Sequence, residues 1–170
     1  TETFVVTEIE AMQRQGASIS LHPLHHERAP VTQPGAAALA PLVDARHATA
    51  PSAVGGFVRS FARAPGRVVA AAGAVLEGNR RSRRLLVGAT AALPYAVDLA
   101  RRVERLGIDH LHCHFATHPA VVGYVVNRLT GIPFSFTAHG SDLHRDQAML
   151  AEKVDAAAFV VTVSDYNRQV

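Results

Sequence analysis

Three polar segments hold the residue types that could do chemistry: His114-Phe-Ala-Thr-His118, His139-Gly-Ser-Asp142 and Ser164-Asp-Tyr-Asn167. Each follows a short apolar run and precedes a stretch with helical periodicity. An imidazole and a carboxylate together in one short loop, as at His139 and Asp142, can orient a substrate, polarise it or move a proton. Gly140 between them lets the backbone turn sharply or approach a ligand closely. Helices starting after Thr117 and Ser164 would offer unpaired N–H groups to an anion such as a diphosphate. The plainer use of Thr117, His118, Ser164 and Asp165 is to cap those helices.

A second chemistry is written in His110, His112 and His114. Alternate residues of a strand share a face, so three imidazoles would line up and, with His118 or His139, could bind zinc and support a metal-dependent hydrolase. Imidazoles packed beneath crossover helices are the alternative. A third reading is a binding module with no activity. Two arginine knots, Arg80, Arg81, Arg83 and Arg84, then Arg101, Arg102 and Arg105, suit either a solvated helix face or an anionic ligand or membrane surface. Aromatic residues are 6% and none interleave with these knots, which argues against nucleic acid. Signatures of P-loop nucleotidases, serine hydrolases and cysteine proteases are absent, and no G-x-G-x-x-G follows a strand.

The elements that must position these segments are clearest after residue 107. Residues 108–115 read as a strand, and Pro119 opens a helix whose apolar face is Val122, Val125, Val126 and Leu129 before Gly131. Residues 134–138 form the next strand, a loop carries His139 to Asp142, and a helix follows with Leu150, Val154 and Ala157 on its buried side. A strand at 159–163 then leads to Ser164 as a cap. Alternating strands and helices make a parallel sheet with helices on both faces, so the fold class is α/β, Rossmann-like. Ligands of such sheets lie beyond the carboxyl ends of the strands, where all three polar segments fall. Upstream, 3–15 reads as a helix, 17–21 as a short strand and 24–51 as a long loop with one helical turn; 52–64, 66–78 and 81–106 read as helices, the last bent near Pro94.

The whole chain of 170 residues, 48% apolar and with a formal charge of +3, is sized for one domain, residues 1–170. A lone Cys113 excludes an internal disulfide and a multi-thiolate zinc site. That lone cysteine, with no charged-then-apolar secretory leader opening the sequence, makes a reducing cytoplasm the expectation, and no apolar run reaches the roughly 18 residues of a spanning helix. A helix at the first residues with no strand before it, and a cap near the last with no helix after it, make both ends look cut.

At these motifs the sequence resembles the amino-terminal half of bacterial family-four glycosyltransferases. The residues that carry the likeness are Thr1 to Glu10, Ile108 to Pro119, Leu129 to Asp142, Leu150 to Val154 and Val161 to Asn167. The branch most similar builds exopolysaccharide, including colanic-acid-type polymers. The resemblance implies a GT-B enzyme in two lobes, this one holding the acceptor and a second, absent here with its paired glutamates, holding the nucleotide-sugar. It implies sugar transfer with retention of configuration, no required metal or other cofactor, and a glycan or lipid-linked acceptor at the inner face of the membrane; if the first arginine knot is not a solvated face, Arg80, Arg81, Arg83 and Arg84 are the candidate contact with that surface. By matching motif, His139 would contact the transferred sugar and Asp142 would orient its loop or bind acceptor. Thr1, Glu2 and Thr3 would face the diphosphate, His114, Phe115 and Thr117 would line the acceptor side, and Ser164 and Tyr166 would lie near the cleft. Without the first strand and the second lobe, the chain by itself is expected to be inactive and less stable.

Overall fold

The computed structural model describes residues 3–25, 34–44 and 51–169, which fall into two compact units, Thr1–Thr49 and Ala50–Val170. In the first unit, α1 (Thr3–Arg14) buries Ile9 and stops at Gly16, whose φ of 88° only glycine adopts readily. The short helix α2 (Pro34–Ala38) packs on α1 so tightly that a Cβ at Gly35 would lie 2.9 Å from Val6 Cγ1. A 3-10 turn at Ala40–Leu42 follows. The alternation at 17–21 does not produce a strand: among the described residues only a single bridge, Leu21 to Val43, forms there. Alternation supplies a face, but a strand also needs a partner along its length, and Leu21 alone finds one, through Leu42 and Asp44.

The second unit runs α3 (Pro51–Arg63), α4 (Pro65–Asn79), α5 (Arg83–Leu106), β1 (Leu111–His114), α6 (His118–Thr130), β2 (Phe134–Ala138), α7 (Gly140–His144), α8 (Leu150–Ala156), β3 (Phe159–Thr162) and a 3-10 turn at Tyr166–Gln169. The strands form a parallel sheet in the order β1-β2-β3, flanked by helices, which is the α/β class expected from the sequence. The first strand is shorter than expected, because only Leu111 to His114 find partners, at Phe134 to Thr137.

Helix α5 is built as its sequence dictates. The Ser82 hydroxyl accepts the Leu85 amide, Gly107 closes the helix in the left-handed conformation, and Leu85, Ala89, Ala96, Leu99 and Val103 bury one face. It runs unbroken as helix through Pro94. Two glycines set how closely neighbours approach it: a Cβ at Gly56 of α3 would strike the Asp98 carboxylate, and one at Gly88 would strike the His118 ring of α6. Asp98 is bonded at 3.0 Å to Arg102, whose guanidinium lies over the Tyr95 ring, and both charges are buried. Arg102 is therefore a packed, paired residue, not part of a solvated face.

Helix α6 lies on the sheet face formed by Cys113, Phe134 and Phe136. Contact there is so close that a Cβ at Gly123 would sit 2.7 Å from both Cys113 Sγ and Phe134. Burial pushes the Cys113 thiol up to about 12. At pH 8 only about one molecule in 10⁴ then carries the reactive thiolate. Native protein is expected to resist alkylation by iodoacetamide for hours and to label fully in denaturant. Rapid native labelling would show this interface to be open.

Candidate functional site

Parallel strands end on the same side, so the segments that follow β1, β2 and β3 emerge together. At β1 the ladder extends one residue further, the Phe115 amide donating to the Thr137 carbonyl at 2.9 Å. Phe115 then turns through a φ of 81°, a left-handed conformation costly for a residue with a Cβ. The next residue, Ala116, is held at both its amide and its carbonyl. The Ala116 amide donates to Asp142 Oδ2 at 2.6 Å, and Lys153 Nζ donates to the Ala116 carbonyl at 2.5 Å. A turn fixed this firmly keeps a strained residue in place, and strained residues of this kind concentrate at binding and catalytic sites.

After β2 the backbone enters α7 rather than the extended loop expected from the sequence. The Asp142 amide donates to the His139 carbonyl at 3.1 Å, and the Asp142 carboxylate in return accepts the His139 amide at 3.3 Å. This reciprocal cap accounts for a helix of only five residues. The His139 ring lies 4.8 Å, centroid to centroid, from Phe115. Asp142 thus joins the first two segments, and His139 with Phe115 forms their common surface.

The third segment joins through α7. His144 Nε2 lies 3.0 Å from Asn167 Oδ1, and its ring packs 5.1 Å from Tyr166. Ser164 accepts the Asn167 amide at both its hydroxyl and its carbonyl, so it does cap a turn, but a 3-10 turn. A Cβ at Gly140 would lie 3.9 Å from Asn167 Oδ1 and from the His144 ring, so the position has room for one.

The structure therefore gathers Phe115, His139, Gly140, Asp142, Ser164 and Tyr166 at the carboxyl ends of the strands. His114, the last residue of β1, sits beside them with its ring 5.1 Å from that of His112. Thr117 occupies the first position before α6, but its side chain caps nothing, so the capping reading is corrected. The neighbouring ring of His118 is seated against Gly88, in helix packing. Thr1 and Glu2 lie outside the described residues, and Thr3 opens α1 in the first unit.

Sequence reasoning missed two participants, Lys153 and His144, and named Asn167 only as the end of the third segment. Lys153 is 2% exposed, whereas Val154, expected on the buried side of α8, is 44% exposed: the buried stripe is turned by one residue. The signal was available, since Lys153 stands three residues after Leu150 on the same helical face. Burial lowers the Lys153 ammonium to about 8, against the opposing pull of Glu152, Asp142 and Asp146. His144 carried no signal beyond being polar.

The histidine series has a different environment. His110 Nε2 and His112 Nδ1 both meet the Ser135 hydroxyl, at 2.6 and 2.8 Å, and His112 Nε2 meets the Thr137 hydroxyl at 2.9 Å. Burial holds His110 below the usual histidine range, and its ring stacks on Phe159. These nitrogens are engaged in a hydroxyl ladder across the sheet. In the first arginine knot, Arg80 pairs with Glu77 at 2.8 Å and Arg84 lies 3.9 Å from Asp146.

Comparison with known families matches residues 46–170, well over half of the chain, to the description Glycosyltransferase Family 4. The chain belongs to glycosyltransferase family 4. Neither the curated proteins nor the solved structures contain a match to it. Membership makes the protein a member of a sugar-transferring family, and among its described residues no helix is long and apolar enough to cross a membrane.

Proposed function

We propose that this chain is the acceptor-holding half of a retaining glycosyltransferase that extends a surface polysaccharide, with His139 contacting the transferred sugar. The single observation behind this reading is the Phe115, His139 and Asp142 cluster, locked across the carboxyl ends of β1 and β2. An aromatic face beside an imidazole suits a pyranose ring, which offers C–H groups to the one and hydroxyls to the other.

In the reaction, an acceptor hydroxyl attacks the anomeric carbon from the side of the departing diphosphate. The bond from that carbon to the phosphate oxygen breaks, the new glycosidic bond forms, and the hydroxyl proton leaves with the phosphate. The donor belongs to a second, nucleotide-sugar-binding lobe, and stabilisation of the diphosphate's charge is the main catalytic term. His139, seated against the Phe115 ring, offers a ring nitrogen to a sugar oxygen, and a metal ion has no step to perform. The acceptor is a glycan or a lipid-linked glycan at the inner membrane face.

The test is turnover of nucleotide-sugar by the complete transferase in the presence of EDTA. H139A is expected to lower kcat by about a hundredfold or more, the effect of removing one well-placed transition-state donor. Near-normal turnover in H139A would end the assignment, and activity that EDTA removes and a divalent cation restores would overturn the metal-free part.

A further inference from the structure

A cavity of about 210 Å³ lies among α3, α4, α5 and α6, lined in part by Ser60, Arg63, Arg67, Arg101, Glu104 and Thr130. Its volume is well above the ~10–15 Å³ that a single water needs. Helix α5 descends to the start of β1, and α6 descends from the end of β1 to the start of β2. Arg101, Glu104 and Thr130 therefore stand at the amino ends of the strands, opposite the edge that carries His139. This is a different place from the proposed transfer site.

The cavity is strongly cationic. Three arginines face one glutamate on its wall, and Arg59 and Arg105 stand close enough to act on Arg101. Burial, and then the repulsion of Arg59, Arg105 and Arg63, lowers the Arg101 guanidinium from its ordinary value, with only Asp98 opposing. Asp98 is already bonded to Arg102. Among the described residues no carboxylate pairs with Arg59, Arg63, Arg67, Arg101 or Arg105. Arg67 donates to the Leu129 carbonyl at 3.3 Å, which leaves most of its fork unused. Ser60 is 9% exposed, and its hydroxyl has no hydrogen-bond partner among the described residues. A buried hydroxyl without a partner costs free energy, as do like charges held together, unless a ligand satisfies them.

We propose that this pocket binds a phosphate group, held by the Arg63 and Arg101 guanidiniums with the Ser60 hydroxyl donating to one of its oxygens. Guanidinium forks match phosphate oxygens two at a time, which a diffuse basic surface does not do. The phosphate could be free, as in a phosphorylated metabolite, or the headgroup of an anionic lipid. Val54, Val58 and Phe61 give α3 an exposed apolar stripe beside the pocket, which makes the lipid a source worth its own arm.

The whole chain is titrated with inorganic phosphate by NMR, and separately with phosphatidylglycerol and phosphatidylcholine vesicles by co-sedimentation. Variants are R63Q/R101Q, the charge-preserving S60A, E104Q, and R80Q/R81Q as a charge-matched pair outside the pocket. Phosphate affinity is expected to fall at least tenfold in R63Q/R101Q, to fall several-fold in S60A, to rise in E104Q and to hold in R80Q/R81Q. A free ligand is the source if the pocket variants change phosphate binding alone. A lipid headgroup is the source if they abolish binding to phosphatidylglycerol vesicles by more than R80Q/R81Q does. Loss no greater in R63Q/R101Q than in R80Q/R81Q in both arms, or S60A and E104Q indistinguishable from the parent in both, overturns the proposal. Thermal midpoints recorded for every variant separate lost binding from lost folding.

Discussion

Replacing Asp142 by Ala is expected to destabilise the protein by about 4 kcal/mol, because two amides that now donate to one buried carboxylate are left without an acceptor. Each such orphan costs ~1–3 kcal/mol, more when the lost partner is charged. Asp142 is 6% exposed, so water cannot readily take its place at the Ala116 amide. The substitution also removes half of the cap that sustains α7, freeing His139 to rotate away from Phe115. Against a typical stability of ~5–15 kcal/mol this is a severe loss. Asp142→Asn keeps one carbonyl acceptor and should cost about half as much. Urea unfolding of the parent and the two variants measures this, with the His139 and Phe115 resonances as the local readout. A loss below about 1 kcal/mol in Asp142→Ala would mean the carboxylate does not hold the Ala116 turn.

The second large effect is a pH dependence centred on Lys153. Its ammonium sits at about 8 in the folded protein, against an ordinary 10.5. Between those two values the unfolded chain binds more protons than the folded one, so stability rises with pH across that window. The penalty for burying the charge is fully present below pH 8 and is relieved by pH 10.5, a change of about 3 kcal/mol at 1.36 kcal/mol per pKa unit. In K153M that term vanishes, and the Ala116 and Ala148 carbonyls lose their donor. Near pH 7 the two consequences oppose one another and the variant should be close to the parent in stability. From pH 8 to 10.5 the parent should gain steadily over K153M. Parallel stability curves for the two proteins across that range would sink the assignment. Cys113 acts in the opposite sense from pH 9 upward, since its thiol is raised in the folded state, but it is common to both proteins and cancels in the difference.

Much of the second unit could be read in advance, for local reasons. Pro51, Pro65, Gly107, Gly131 and Pro133 punctuate the chain at helix and strand boundaries, and the apolar runs between them keep one period each. The fold class followed from their alternation. Residues 17–21 were misread because alternation without a partner does not form a strand. The loop after β2 was misread because a five-residue helix has no periodicity to detect; it is held by the His139 amide donating to the Asp142 carboxylate and the Asp142 amide donating to the His139 carbonyl. The stripe of α8 was misplaced because hydrophobicity was taken as the guide to burial, while Lys153 is buried by the hydrogen bonds its amine makes.

For the candidate site, the residue types and the rule that ligands gather at the carboxyl ends of strands were enough to nominate His139, Gly140 and Asp142. Only the folded chain joins Asp142 to Ala116, sets Phe115 against His139, and brings Lys153 from 37 residues further along to the Ala116 carbonyl. The cationic pocket has the same origin: Ser60, Arg63, Arg101 and Thr130 lie on three helices, and nothing in their spacing links them. The sequence by itself determined the order, type and polarity of the elements, because propensity, capping and periodicity act between residues a few positions apart. The tertiary structure alone decided which polar groups meet and which are buried, because those contacts depend on helix and strand crossings that no local interaction specifies.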